Sequence, residues 1–136
     1  MSGLVLDSSI AASWCISDES NSKADALLLR VRNHGATVPA LWHWEIANVL
    51  AMAERRGRAV ASDVTLSLEL LAALPIEIDG ECASRAWRDT LSLARQHKLT
   101  VYDATYLELA MRLGVELGTN DNALRAAASA AGVKLA

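Results

Sequence analysis

Short apolar runs alternate along this chain with longer stretches in which apolar residues recur every three or four positions. Gly3-Leu4-Val5-Leu6 is continuous and rich in branched side chains, as a strand buried on both faces requires, and it stops at Asp7. Ser8-Ser9 offers capping hydroxyls to a short helical piece running through Trp14, and Asp18-Glu19-Ser20 marks a loop. From Lys23 to Asn33 the apolar positions Ala24, Leu27, Leu28 and Val31 have helical spacing, with Gly35 as the stop. Ala36-Thr37-Val38 predicts a second strand closed by Pro39, and Trp42 to Arg56 is helical through Ile46, Val49, Leu50 and Ala53. A further helix from Ser62-Asp63 carries Val64, Leu68, Leu71 and Ala72 as far as Pro75, ahead of the strand Ile76-Glu77-Ile78. Glu81 to His97 predicts a longer helix with Ala83, Ala86, Trp87, Leu91 and Ala94 on one side. Thr100-Val101-Tyr102-Asp103 opens the next helix, which ends at Gly114, and Val115-Glu116-Leu117-Gly118 is a fourth strand. Asp121 starts an alanine-rich helix to Gly132, after which Val133-Lys134-Leu135 can add an edge strand.

Strands separated by helices, with no two strands joined by a tight hairpin, predict an α/β fold: a parallel sheet of four to five strands between helices. A length of 136 residues suits a single domain over 1–136. With 52% hydrophobic and 21% charged residues the chain has material for a packed core, and with four Trp, two Tyr and no Phe that core must be mostly aliphatic. No apolar run approaches the ~18 residues that span a bilayer, and the start lacks the basic segment of a signal peptide, so a cytoplasmic protein with no membrane association is expected. Cys15 and Cys82 form no CxxC pair and read as buried thiols. A net charge of −3 is not the field of a strongly basic nucleic-acid binder, so any contact with RNA must use a local patch or bound cations.

Ligands of open parallel sheets bind beyond the carboxyl ends of the strands. Asp7 follows the first strand, Asp121 follows the fourth, and Asp103 opens the helix that leads into the fourth; Glu45 lies in the first turns of the helix after the second strand. Singly, each acid has a local explanation. Asp103 completes a Thr100-x-x-Asp103 capping box, Asp121 is an N-cap, and Glu45 is a helix-surface residue. Together they pose an electrostatic problem, because two carboxylates ~5 Å apart repel by roughly 3 kcal/mol at an effective dielectric of 20. A divalent cation answers it, and an all-carboxylate set selects a hard ion, Mg²⁺ or Mn²⁺, over zinc. His34, His43 and His97 lack ligand spacing such as HExxH, and no Walker, G-x-G-x-x-G or G-x-S-x-G loop is present. Carboxylate-bound cations without a protein nucleophile point to phosphodiester hydrolysis.

The segments Leu4-Val5-Leu6-Asp7-Ser8-Ser9, Glu45-Ile46-Ala47-Asn48-Val49-Leu50, Tyr102-Asp103-Ala104 and Thr119-Asn120-Asp121 with Leu124, in this order and at these separations, resemble the PIN-domain toxins of VapBC toxin–antitoxin modules. The resemblance runs from residue 3 to about 135. It implies a PIN-like three-layer α/β/α sandwich and a Mg²⁺- or Mn²⁺-dependent endoribonuclease that cuts structured RNA such as tRNA or rRNA and arrests translation. It makes Asp7, Glu45, Asp103 and Asp121 the metal-site acids, with Ser8, Thr119 and Asn48 as supporting polar residues. Asn120 departs from the apolar residue more usual there. The implied partners are RNA, a cognate antitoxin that covers the acidic cleft, and a second copy of the chain within the toxin–antitoxin complex. Trp14, Trp42 and Trp44 are read either as part of that partner surface or as core filling.

The rival from another class is a catalytically silent PIN-like domain serving as an RNA- or protein-binding module. It leaves a four-acid set without purpose. A phosphatase with Asp7 as nucleophile fits less well, since Asp7 is followed by Ser8-Ser9 with no DxD spacing.

Overall fold

The computed structural model describes residues 3–16, 19 and 21–136. Its order is β1 (Leu4–Leu6), α1 (Ser8–Cys15), α2 (Ser22–His34), β2 (Ala36–Pro39), α3 (Leu41–Arg55), α4 (Ala61–Ala72), β3 (Ile76–Asp79), α5 (Cys82–Arg85), α6 (Leu91–His97), α7 (Val101–Leu113), β4 (Glu116–Gly118) and α8 (Asn122–Ala130). Of the loop expected at Asp18-Glu19-Ser20, Asp18 and Ser20 lie outside the described residues. The strands form one parallel sheet in the order β3-β2-β1-β4, with Val5 opposite both Thr37 and Leu117. Every β1 residue is buried, which is why that run carries no polar alternation. Helix α7 lies across β1, β2 and β4 and packs on α6 and α8, while α1 packs against α2, α3 and α4. The expected α/β sandwich is therefore the observed one.

Local chemistry sets most boundaries. Gly35 ends α2 at φ 78°, donating to the Val31 carbonyl at 2.7 Å, and a Cβ there would stand 2.7 Å from the Pro75 carbonyl oxygen. Both the left-handed backbone and the close approach of the chain before β3 demand glycine. The Val133–Leu135 edge is reduced to one bridge, Leu117 to Leu135, although Leu117 still donates to the Lys134 carbonyl and accepts from Ala136. The sheet thus has four strands and the start of a fifth.

Three local expectations are corrected. Asp7 itself, not Ser8 or Ser9, caps α1, because its carboxylate reaches the Ser9 and Ile10 amides. The long helix expected over 81–97 is interrupted by a π turn, Ala86–Thr90, between α5 and α6. Each π turn adds a residue to the helical repeat, so the face inferred from regular spacing rotates away. Cys82, Thr90 and Ala94 are buried, whereas Trp87, assigned to the inner side, is 91% exposed. The three early tryptophans also separate: Trp42 is core, Trp14 is half-buried with its indole N–H on the Ala24 carbonyl, and Trp44 is exposed.

Candidate active site at the switch point of the sheet

From β1 the chain moves outward to β2 and β3, then returns to the other side of β1 as β4. The reversal falls between β1 and β4, so the crevice lies at their carboxyl ends, where Asp7 and the Thr119-Asn120-Asp121 turn emerge. Asp7 is only 4% exposed. Its Oδ1 accepts from the Ser9 amide at 3.0 Å, the Ser9 hydroxyl at 2.6 Å and the Ile10 amide at 3.4 Å, and its Oδ2 accepts from the Thr119 hydroxyl. Burial outweighs these donors and raises the carboxyl to about 6. Thr119 also accepts from the Asp121 amide at 3.0 Å, which ties the β4 turn to Asp7. Asn120, the unusual residue of this turn, donates its amide to the Ser9 hydroxyl at 2.9 Å.

Glu45 enters from α3. The Tyr106 hydroxyl donates to its Oε1 at 2.5 Å. Burial raises its pKa, the Tyr106 and Ser8 hydroxyls oppose that, and the charge of Asp103 adds to it. Asp103 is itself raised, first by burial and then by the charge of Asp121, against the Thr100 hydroxyl, which accepts from the Asp103 amide at 3.1 Å. Asp121 caps α8 through the Leu124 amide at 2.8 Å. The local roles read for Asp103 and Asp121 are therefore filled, and both carboxylates still act on the same electrostatic neighbourhood. Asn48, one turn beyond Glu45, is exposed and makes no side-chain hydrogen bond among the described residues.

Glu45, Asp103 and Asp121 thus form a coupled row, and Tyr106, which is raised by burial and by Glu45, Asp7 and Asp103, joins Asp7 to it. Among the described residues none of these four acids has a cationic ion-pair partner. The donor chemistry, all carboxylate and partly desolvated, suits a hard dication. As the side chains stand, no three His, Cys, Asp or Glu groups of the described residues are drawn together into a ligating cluster.

Sequence reading missed Tyr106 and Ser9. Tyr106 lies three residues after Asp103, one helical turn along the same face, and that spacing was the available signal. It also missed an acid cluster of opposite design. Arg112 on α7 donates to Asp79 at 3.0 and 2.8 Å, to Glu108 at 2.9 and 3.2 Å and to Glu81 at 3.0 Å. There the protein supplies its own cation. Asp79 is held at about 2, chiefly by its hydrogen bonds from Arg112, below its ordinary 3.8. A depressed carboxylate stabilises the fold above its unfolded value and loses that contribution as pH falls through the folded one. Acidification from about pH 4 to 2 is expected to remove roughly 2 kcal/mol through this residue. Urea midpoints across that window would show it, and Asp79→Asn should flatten that part of the curve; an unchanged slope in the variant would refute the assignment.

Comparison with known proteins agrees with this architecture. The PIN domain family model matches residues 4–130. Ribonuclease VapC3 of Pyrobaculum aerophilum is 30% identical over 122 residues, covering 89% of this chain and 91% of that protein. The crystal structure of PAE2754 from Pyrobaculum aerophilum superposes with a TM-score of 0.69 at 20% identity, over 93% of this chain and 84% of that one, and supports the fold.

Proposed function

Since the chain belongs to the PIN-domain family and is related to a VapC ribonuclease, we propose that it is a Mg²⁺- or Mn²⁺-dependent endoribonuclease, the toxin of a type II toxin–antitoxin module. Its substrate in this reading is structured RNA such as tRNA or rRNA, and its cleavage arrests translation. The observation that carries the proposal is the row of Glu45, Asp103 and Asp121, three carboxylates from distant segments that act on one another and, among the described residues, have no cationic ion-pair partner. Bound at Asp7, Glu45, Asp103 and Asp121, divalent ions would supply water activation and charge stabilisation for an in-line displacement at phosphorus. The chain's own residues hold the acids in place. Ser9 and Thr119 fix Asp7, Tyr106 and Ser8 restrain Glu45, and Thr100 fixes the backbone of Asp103. Asn48 is exposed on the Glu45 helix with no side-chain hydrogen bond among the described residues, available to substrate.

The proposed partner is a cognate antitoxin that offers a basic side chain to the same carboxylates, and the working form is a homodimer within that complex. An apolar groove between α1, α2 and α4, lined by Trp14, Leu28, Leu70 and Leu71, supports such a partner. No helix among the described residues is long and apolar enough to cross a membrane, in keeping with the cytoplasm as its place of action.

Purified protein freed of antitoxin is expected to cut RNA with Mg²⁺ or Mn²⁺ and not in EDTA. Asp103→Ala and Asp121→Ala should each slow cleavage about a hundredfold or more, the scale seen when one group that stabilises developing charge is removed. Their circular dichroism should stay that of the folded chain. Undiminished metal-dependent cutting in both variants, after removal of contaminating nuclease, would overturn the site.

A further inference from the structure

Tyr106 lies one helical turn after Asp103 on α7 and is only 1% exposed, one of the largest fully buried side chains of the fold. Its hydroxyl crosses from α7 to α3 and donates to Glu45 Oε1 at 2.5 Å. A buried phenol needs an acceptor, and a backbone carbonyl or a water would serve. Here the acceptor is a carboxylate, and the separation is the short one of an O–H bonded to an ionised acid.

Glu45 gains little by staying where it is. It is half-buried on α3, has no cationic ion-pair partner among the described residues, and feels the like charge of Asp103. Its long side chain can relieve both burial and repulsion by turning out to solvent. The Tyr106 bond opposes that turn, and it comes from the same helix as the acid that repels. Helix α7 is itself seated on β1, β2 and β4 and on its neighbours α6 and α8. One rigid element therefore sets Asp103 through its backbone and Glu45 through the Tyr106 ring, so the distance between acids of two different helices depends on a single hydroxyl.

We propose, on the basis of the metal-dependent reading above, that Tyr106 is a positioning residue of the cation site: its hydroxyl holds one oxygen of Glu45 so that this carboxylate stays within the field of Asp103, already placed for a dication. Tyr106 touches neither the cation nor the substrate and acts through Glu45 alone.

The test reads metal binding apart from cutting. The full chain, freed of antitoxin and without RNA, is titrated with Mn²⁺, and the free ion is followed by electron paramagnetic resonance. Tyr106→Phe keeps the buried ring and removes only the oxygen, and should weaken Mn²⁺ binding about 10- to 100-fold, the usual loss when the partner that orients a metal ligand is removed. Glu45→Asp keeps the charge but shortens its reach to the hydroxyl, and should lose a comparable factor. Adding Tyr106→Phe to Glu45→Asp should then cost no more than about twofold further, because the two changes break the same contact. A role in packing alone gives the same loss from Tyr106→Phe whichever residue stands at 45. Mn²⁺ affinity within about twofold of the parent in Tyr106→Phe, or a full additional loss in the Glu45→Asp background, overturns the proposal. Circular dichroism in EDTA checks that the variants are folded. Should Tyr106→Phe fail to fold, Glu45→Asp decides the matter, and parental Mn²⁺ affinity in that variant overturns the proposal as well. Coupling between the two residues in a pure chain that cuts no RNA would refute the nuclease reading alone; metal-dependent cutting with parental Mn²⁺ affinity in Tyr106→Phe would refute the positioning role alone.

Discussion

Arg112→Met is expected to destabilise the protein by about 3–5 kcal/mol, the loss typical of removing one partner from a buried ion pair. Arginine has five N–H donors, and Arg112 directs its guanidinium at three carboxylates while only 13% of its side chain is exposed. Glu108 and Asp79 are at least as buried, so without Arg112 they would remain as desolvated charges with no counterion. Such a loss is a large fraction of the ordinary stability of a domain and should lower the melting temperature by about 10–15 °C. Arg112→Lys should fall between, since an ammonium keeps the charge but cannot fork to two carboxylates. Glu81, largely exposed, should matter little, with Glu81→Gln changing stability by less than about 1 kcal/mol. Urea unfolding at neutral pH separates these cases. An Arg112→Met variant within 1 kcal/mol of the parent would mean that water or rearranged side chains satisfy Glu108 and Asp79.

This cluster shows what is legible in a linear chain. The strands around the site could be read because each is a local run ending at a recognisable residue, Asp7 after Leu6 or Pro39 after Val38. The caps on α7 and α8 could be read because Thr100 and Asp121 act within three residues of themselves. Asp7, Asp103 and Asp121 were placed by a rule about strand ends, and Glu45 only by its position in the first turns of the next helix; in the fold Glu45 feels the charge of Asp103, and Asp103 that of Asp121. Arg112 could not be paired in this way. It finds Asp79 across 33 residues, and the spacing of α7 identifies only its i,i+4 contact with Glu108. Tyr106 is similar, 61 positions along the chain from Glu45. The π turn was hidden for another reason: Ala86, Trp87 and Leu91 fit a regular repeat, and the turn that leaves Thr90 and Ala94 buried and Trp87 exposed has no signal in local propensity.

The two acid clusters also divide stability from function. Around Arg112 each of three carboxylates has a protein cation as its partner, so the cluster contributes to the fold. At the switch point the acids have no cationic ion-pair partner among the described residues, and the fold carries their mutual repulsion and desolvation. Sites that bind charged ligands commonly hold such unresolved energy.

Asp7→Asn should therefore make the metal-free protein more stable while removing its proposed activity. The carboxyl of Asp7 is raised to about 6 in the fold, against an ordinary 3.8. A raised acid is still protonated in the native state while the unfolded chain has already ionised, so stability declines as pH climbs from about 4 to 6 and stays low above that. The shift corresponds to about 3 kcal/mol at most. Asparagine has the same shape, caps α1 as well as aspartate does, and has no charge to bury. In EDTA at pH 7.5 the variant is expected to melt about 5–10 °C above the parent. The advantage should vanish below about pH 4, where the parent is protonated in both states. It should also shrink as Mg²⁺ is added, since a ligand bound to the native state alone stabilises the parent by mass action. A variant that melts below the parent in EDTA at pH 7.5 would show that the bonds from Ser9 and Thr119 to the carboxylate outweigh its burial, and that Asp7 is not a strained charge awaiting a cation.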